Sequence, residues 1–106
     1  MCMRKIIAIT VYFFTISFSI ASTSFYQEAL QSFERDEFEL SIKYLEKNIV
    51  FNPKSSESYI LLGKSYSALE NSDKAEKYYK IAYTLIPENI ELNFLLGEVS
   101  YNLGPY

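Results

Sequence analysis

The sequence predicts an all-α protein, an α-solenoid of antiparallel helix pairs with about two and a half repeats, set behind an N-terminal segment that is not part of the fold. Three observations predict it. Residues recur at an offset of 34: Pro53 and Pro87, Glu57 and Glu91, Gly63 and Gly97, and Leu61, Leu62 and Leu69 as Leu95, Leu96 and Leu103. The chain of 106 residues has only 3 Gly and 3 Pro, so their coincidence at one offset is informative. Within the period, apolar residues fall at helical spacing, as in Tyr59, Leu62, Gly63 and Tyr66 at i, i+3, i+4 and i+7. Finally, 49% hydrophobic and 22% charged residues are ordinary for a folded chain and argue against disorder.

The elements follow in chain order. Residues 1–21 have the three parts of a secretory signal peptide: a basic start with Arg4 and Lys5, an uncharged run from Ile6 to Ala21, and the small residues Ser19 and Ala21 at the cleavage positions. The uncharged run is 16 residues, short of the ~20 that span a bilayer. An uncleaved membrane anchor through 6–21 is the alternative. The expected location is extracytoplasmic, periplasmic or secreted, or membrane-anchored if the segment is retained. Cys2 precedes the apolar run, so it is not placed as a lipid-bearing Cys.

Helices are predicted over 23–35, 38–51, 56–69, 73–86 and 90–103. The first carries Phe25 and Ala29, with Tyr26, Leu30 and Phe33 as a second stripe one residue on. The second carries Phe38, Ser41, Ile42, Leu45 and Ile49 and ends before Pro53. In the third, Gly63 is a point of close approach to the fourth, as is Ala75 on that helix. The turn Glu70-Asn71-Ser72-Asp73 precedes the fourth helix. Ser72 or Asp73 is expected to cap it, with Asp73 and Glu76 at capping-box spacing. Tyr79, Ala82 and Tyr83 continue its apolar stripe, and Pro87 stops it. The fifth helix is apolar nearly all round, with Ile90, Leu92, Phe94, Leu95, Leu96, Val99, Tyr101 and Leu103.

The run Tyr59-x2-Leu62-Gly63-x2-Tyr66, then Ala75-x3-Tyr79, Ala82 and Pro87, resembles the tetratricopeptide repeat (TPR), with Tyr standing for the usual Trp and Phe. The resemblance divides the chain into repeat 1 (22–55), repeat 2 (56–89) and the first half of repeat 3 (90–106). In repeat 1, Glu28 and Ser32 stand where Leu and Tyr are usual. The resemblance implies a concave groove lined by the first helix of each repeat. Its positions here are Thr23, Tyr26, Leu30 and Phe33; Glu57, Ile60, Lys64 and Ser67; and Glu91, Phe94, Glu98 and Tyr101. This set is apolar and aromatic with an acidic bias, suited to a peptide with apolar anchors and basic flanks. Lys64 stands alone among glutamates and Asn is absent, so the carboxylate clamp of some family members is not expected. Half of these aromatics have packing between repeats as an equal alternative, Tyr26 and Phe33 above all.

Catalysis is not expected. There is no His, which removes His-dependent triads, and one Cys, which removes disulfide scaffolds and Cys/His zinc sites. The three glycines are isolated, so no phosphate loop forms. Glu34, Asp36, Glu37 and Glu39 cluster at an expected exposed turn, where solvated charge explains them. No cofactor or metal is implied. Removing residues 1–21 leaves 8 basic against 13 acidic residues, a net charge of −5, which disfavours nucleic acid and anionic lipid.

The expected function is an exported TPR-type protein–protein interaction module, a scaffold or adaptor binding a peptide or partner protein on its concave face. The alternative is a truncated regulatory or substrate-delivery fragment of a larger envelope protein or enzyme. A terminal helix of a stack should have one polar side, and 90–103 lacks it. Three explanations are open: it docks on a partner, it pairs with a second copy as a homo-oligomer, or the chain is a fragment of a longer array.

Overall fold

The computed structural model describes residues 24–104. Among them the protein is all-helical, with five α-helices and no strand: α1 (Phe25–Glu34), α2 (Phe38–Phe51), α3 (Ser56–Ala68), α4 (Ser72–Leu85) and α5 (Ile90–Leu103). The signal-peptide or anchor reading of 1–21 and the groove position given to Thr23 lie outside the described residues.

Helix boundaries repeat with the sequence period. Glu34 and Ala68, Phe38 and Ser72, Phe51 and Leu85, and Ser56 and Ile90 are each 34 positions apart. The short turns between helices force each to reverse against its predecessor. Aromatic contacts mark this antiparallel course: the ring of Phe25, at the start of α1, stacks 6.0 Å from that of Phe51 at the end of α2, and Phe33 meets Phe38 edge-on at 5.3 Å at the opposite end. Each helix packs on its sequence neighbours, and α1 also touches α3.

One apolar cluster runs through all five helices, from Ala29 in α1 through Leu45, Leu62 and Tyr79 to Leu92 and Val99 in α5. Within it, α3 and α4 approach closely at buried Gly63. A Cβ built there would overlap the ring of Tyr79. The close contact is thus backbone against an aromatic ring, with Ala75 buried alongside.

The first helix keeps the register that the 34-residue offset gives it. Ala29 and Ser32 are fully buried, at the positions equivalent to Gly63 and Tyr66. Small polar residues let α1, α2 and α3 approach. Ser41 Oγ donates to the Ala29 carbonyl at 2.8 Å, and Ser65 Oγ donates to the Leu61 carbonyl at 2.8 Å. Asn48 Nδ2 donates to Ser58 Oγ at 2.8 Å, joining α2 to α3. Among the described residues no buried side-chain nitrogen or oxygen lacks a partner, as stability requires of groups removed from water.

Both helix pairs close through the same turn. Asp36 and Glu70 have φ of 61°, in the left-handed region. The amide of Glu37 donates to the Ser32 carbonyl and that of Asn71 to the Tyr66 carbonyl, each at 2.9 Å. These are the wrap-around bonds of a Schellman motif. The position favours glycine, so Glu70→Gly is expected to stabilise the fold by about 0.5–1 kcal/mol, the relief of left-handed strain less the added chain entropy. Thermal melts of the two chains would show it as a higher midpoint for the variant.

One expected cap is corrected. Neither Ser72 nor Asp73 caps α4. Asn71 does, its side chain accepting from the Lys74 amide at 3.2 Å. The turn at Glu70 brings the chain into the helix two residues sooner than the Asp73/Glu76 spacing implies. Ser55 and Asn89, again 34 apart, cap α3 and α5 in the same way.

Candidate functional site

The odd-numbered helices α1, α3 and α5 present one face of the stack. There an open cavity of about 200 Å³ is lined by Tyr26, Leu30 and Phe33 from α1, Glu57, Ile60, Leu61 and Lys64 from α3, and Glu91 from α5. The periodicity explains the convergence. Tyr26, Leu30 and Phe33 are spaced i, i+4 and i+7, one stripe of α1, and Glu57, Ile60 and Lys64 form the matching stripe of α3. The floor is apolar, from half-buried Tyr26, Leu30, Phe33 and Ile60 and buried Leu61. These aromatics pack against the core and line the cavity at once, so the two readings of Tyr26 and Phe33 are compatible.

The rim is charged. Lys64 Nζ donates to Glu91 Oε1, tying α3 to α5 across the face. The Lys64 side chain is 32% exposed and that of Glu91 56%, so the pair stabilises little and is open to exchange with a ligand's charges. Lys64 is thus paired with one of the glutamates that surround it at the groove positions. Glu57 is exposed at the same rim. The acidic field reaches Tyr26, whose phenol is raised above its usual value first by burial and then by the carboxylates of Glu57 and Glu91. The cavity thus offers an apolar floor, one hydroxyl, and carboxylates in excess over ammonium.

Not every expected groove position joins the cavity. Phe94, Glu98 and Tyr101 do not line it, and Phe94 and Tyr101 are 70% and 86% exposed. The reason is packing. α1 touches α3 and closes a floor between them, whereas α3 and α5 are bridged at this face by the Lys64–Glu91 pair. Ser67 is half-buried outside the lining. Leu61 is a lining residue that sequence reasoning assigned no binding role. Its recurrence as Leu95 was visible, but it reads as core, and it is 4% exposed.

On α5 the apolar excess is real. Leu92 and Val99 are buried against the stack, while Ile90, Phe94 and Tyr101 face away. Gly97 repeats Gly63 in sequence but not in setting: among the described residues nothing lies within 4 Å of a Cβ built there. The acidic cluster Glu34, Asp36, Glu37 and Glu39 is exposed at the α1–α2 turn, with Arg35 bonded to Glu37 at 2.9 Å.

Tyr79 carries the strongest electrostatic signature. Burial raises its phenol far above the ordinary value, helped by the carboxylates of Glu98 and Glu91. An unfolded tyrosine ionises near pH ~10. The folded chain resists that ionisation, so its contribution is complete below about pH 10 and is lost as pH rises through the folded value. The melting temperature is expected to hold up to about pH 9.5 and then fall, with a smaller fall in Tyr79→Phe, as calorimetry at stepped pH would show.

No protein-family model matches the chain, and no relative was found among curated proteins.

Proposed function

We propose that this chain is an exported, non-catalytic TPR-type module that binds a peptide or partner protein along the α1/α3/α5 face. Two and a half repeats of 34 residues would form the solenoid, and residues 1–21 would direct export. The observation that carries this reading is the cavity, built from the first helix of each helix pair at positions related by the repeat. A binding face of this kind wants an apolar anchor in the floor and charge complementarity at the rim. The anchor here would enter between Leu30 and Ile60. Basic side chains of the ligand would meet Glu57 and Glu91 and displace Lys64. A ligand of extended or helical form fits, since either presents apolar residues on one side.

The test is a selection of displayed random peptides on the full-length protein. The expected winners carry one or two large apolar residues flanked by Lys or Arg. Glu57→Lys and Leu30→Ser are expected to weaken such peptides at least tenfold, ~1.4 kcal/mol or more, while Lys43→Ala on α2 leaves them unchanged. Peptides with acidic flanks, or affinity indifferent to Glu57→Lys, would contradict the reading.

A further inference from the structure

The first and last helices of the stack turn different surfaces to water. α1 exposes Gln27, Glu28, Gln31 and Glu34, a polar set. α5 exposes Ile90, Phe94, Gly97 and Tyr101. These are spaced i, i+4, i+7 and i+11, one straight stripe along the helix. Leu92 and Val99, buried against the stack, lie on the opposite side of α5. None of the four stripe residues lines the cavity. Among the described residues nothing lies within 4 Å of a Cβ built on Gly97, so the middle of the stripe is open.

The alternating steps of four and three are those of a coiled-coil seam. The stripe is also complementary to itself. Phe94 and Tyr101 stand three and four residues to either side of Gly97. Two copies of α5 laid antiparallel and crossing at Gly97 would set Phe94 of each against Tyr101 of the other. Gly97 leaves room between the two aromatic layers. On one flank Asn93 would face Ser100 of the second copy. On the other flank the two Glu98 carboxylates would come near each other, exposed and screened by salt. The polar surface of α1 offers the stripe no such counterpart, which disfavours a head-to-tail contact and leaves the two-fold one.

The area is sufficient. Ile90, Phe94 and Tyr101 are 87%, 70% and 86% exposed. An aromatic side chain buries ~150–250 Å², so the stripe offers roughly 500 Å² a copy and about 1,000 Å² for the pair, the lower bound of a specific interface. We propose that this face of α5 is the contact of a symmetric dimer, in which a second copy of the chain lays its own α5 antiparallel on the stripe. The peptide-binding reading is independent of it, because the stripe lies outside the cavity.

Sedimentation equilibrium of the full-length chain in density-matched detergent tests the contact. The expected result is a reversible monomer–dimer equilibrium. Phe94→Glu is expected to raise its dissociation constant about tenfold or more, with unchanged helical circular dichroism because the position is exposed. Orientation is read by cross-linking in a Cys2→Ser background, which removes the chain's one thiol. Glu98→Cys, beside the crossing, is expected to link to itself through a short bis-maleimide. Asn93→Cys is not, because the antiparallel pair holds the two copies of that position about 13 Å apart along the axis. A parallel pair would link through both. A chain that stays monomeric at its highest soluble concentration, a dimer that Phe94→Glu leaves intact, or linking through Asn93→Cys overturns the proposal.

Discussion

Gly63→Ala is expected to destabilise the protein by about 3 kcal/mol or more, the upper range for overpacking a core. The added methyl would occupy the space of the Tyr79 ring. That ring is 2% exposed, so it has no open space into which to swing. Either α3 and α4 separate or the ring leaves its rotamer, and both loosen the contact between these two helices. The control is built into the chain. Gly97→Ala, one period on, meets nothing among the described residues and sits inside α5. It is expected to stabilise by about 1 kcal/mol, the helix preference of Ala over Gly. Urea unfolding followed by circular dichroism would read both. In the Gly63→Ala background, Tyr79→Leu should cost far less than it does alone, because one change relieves the other.

The second large effect is expected from Leu45→Ala, a loss of about 2–5 kcal/mol through lost burial and the cavity left behind. Leu45 is fully buried in α2, the helix packed between α1 and α3. The hole would open onto both interfaces. A domain of this size has a total stability on the order of 4–12 kcal/mol, so the variant would lose a large share of it. Exposed Phe51, on the same helix, provides the contrast. Phe51→Ser should leave the urea midpoint nearly unchanged in detergent solution.

Much of this was legible in the sequence, and the limits have physical causes. The 34-residue period placed all five helices to within about three residues at each end, because Gly, Pro and the apolar stripes report packing and chain reversal directly. The register of α1 was ambiguous in the sequence, since two stripes fit it. The structure uses both: Ala29 and Ser32 face the core, and Tyr26, Leu30 and Phe33 face the cavity. Asn71 was passed over as the α4 cap because the left-handed turn at Glu70 is not written in a glycine. Which glutamate pairs with Lys64 was not legible, because Glu91 is 27 residues away on another helix. Phe94, Glu98 and Tyr101 shared the groove positions of their repeat but not its cavity. A lining needs a facing helix at contact distance, which no single-helix pattern encodes. Leu61 was missed for the opposite reason, since a buried Leu at an enclosed floor looks the same in sequence as any core Leu.

The proposed function places an apolar peptide with basic flanks on the α1/α3/α5 face. Amide chemical-shift mapping of the labelled protein, titrated with such a peptide from the selection, tests it most directly. Shifts are expected to concentrate at Tyr26, Leu30, Phe33, Glu57, Ile60, Lys64 and Glu91, with the outer positions of α2 and α4 unmoved. Shifts centred on α2 and α4, or an unchanged spectrum at saturating peptide, would contradict it.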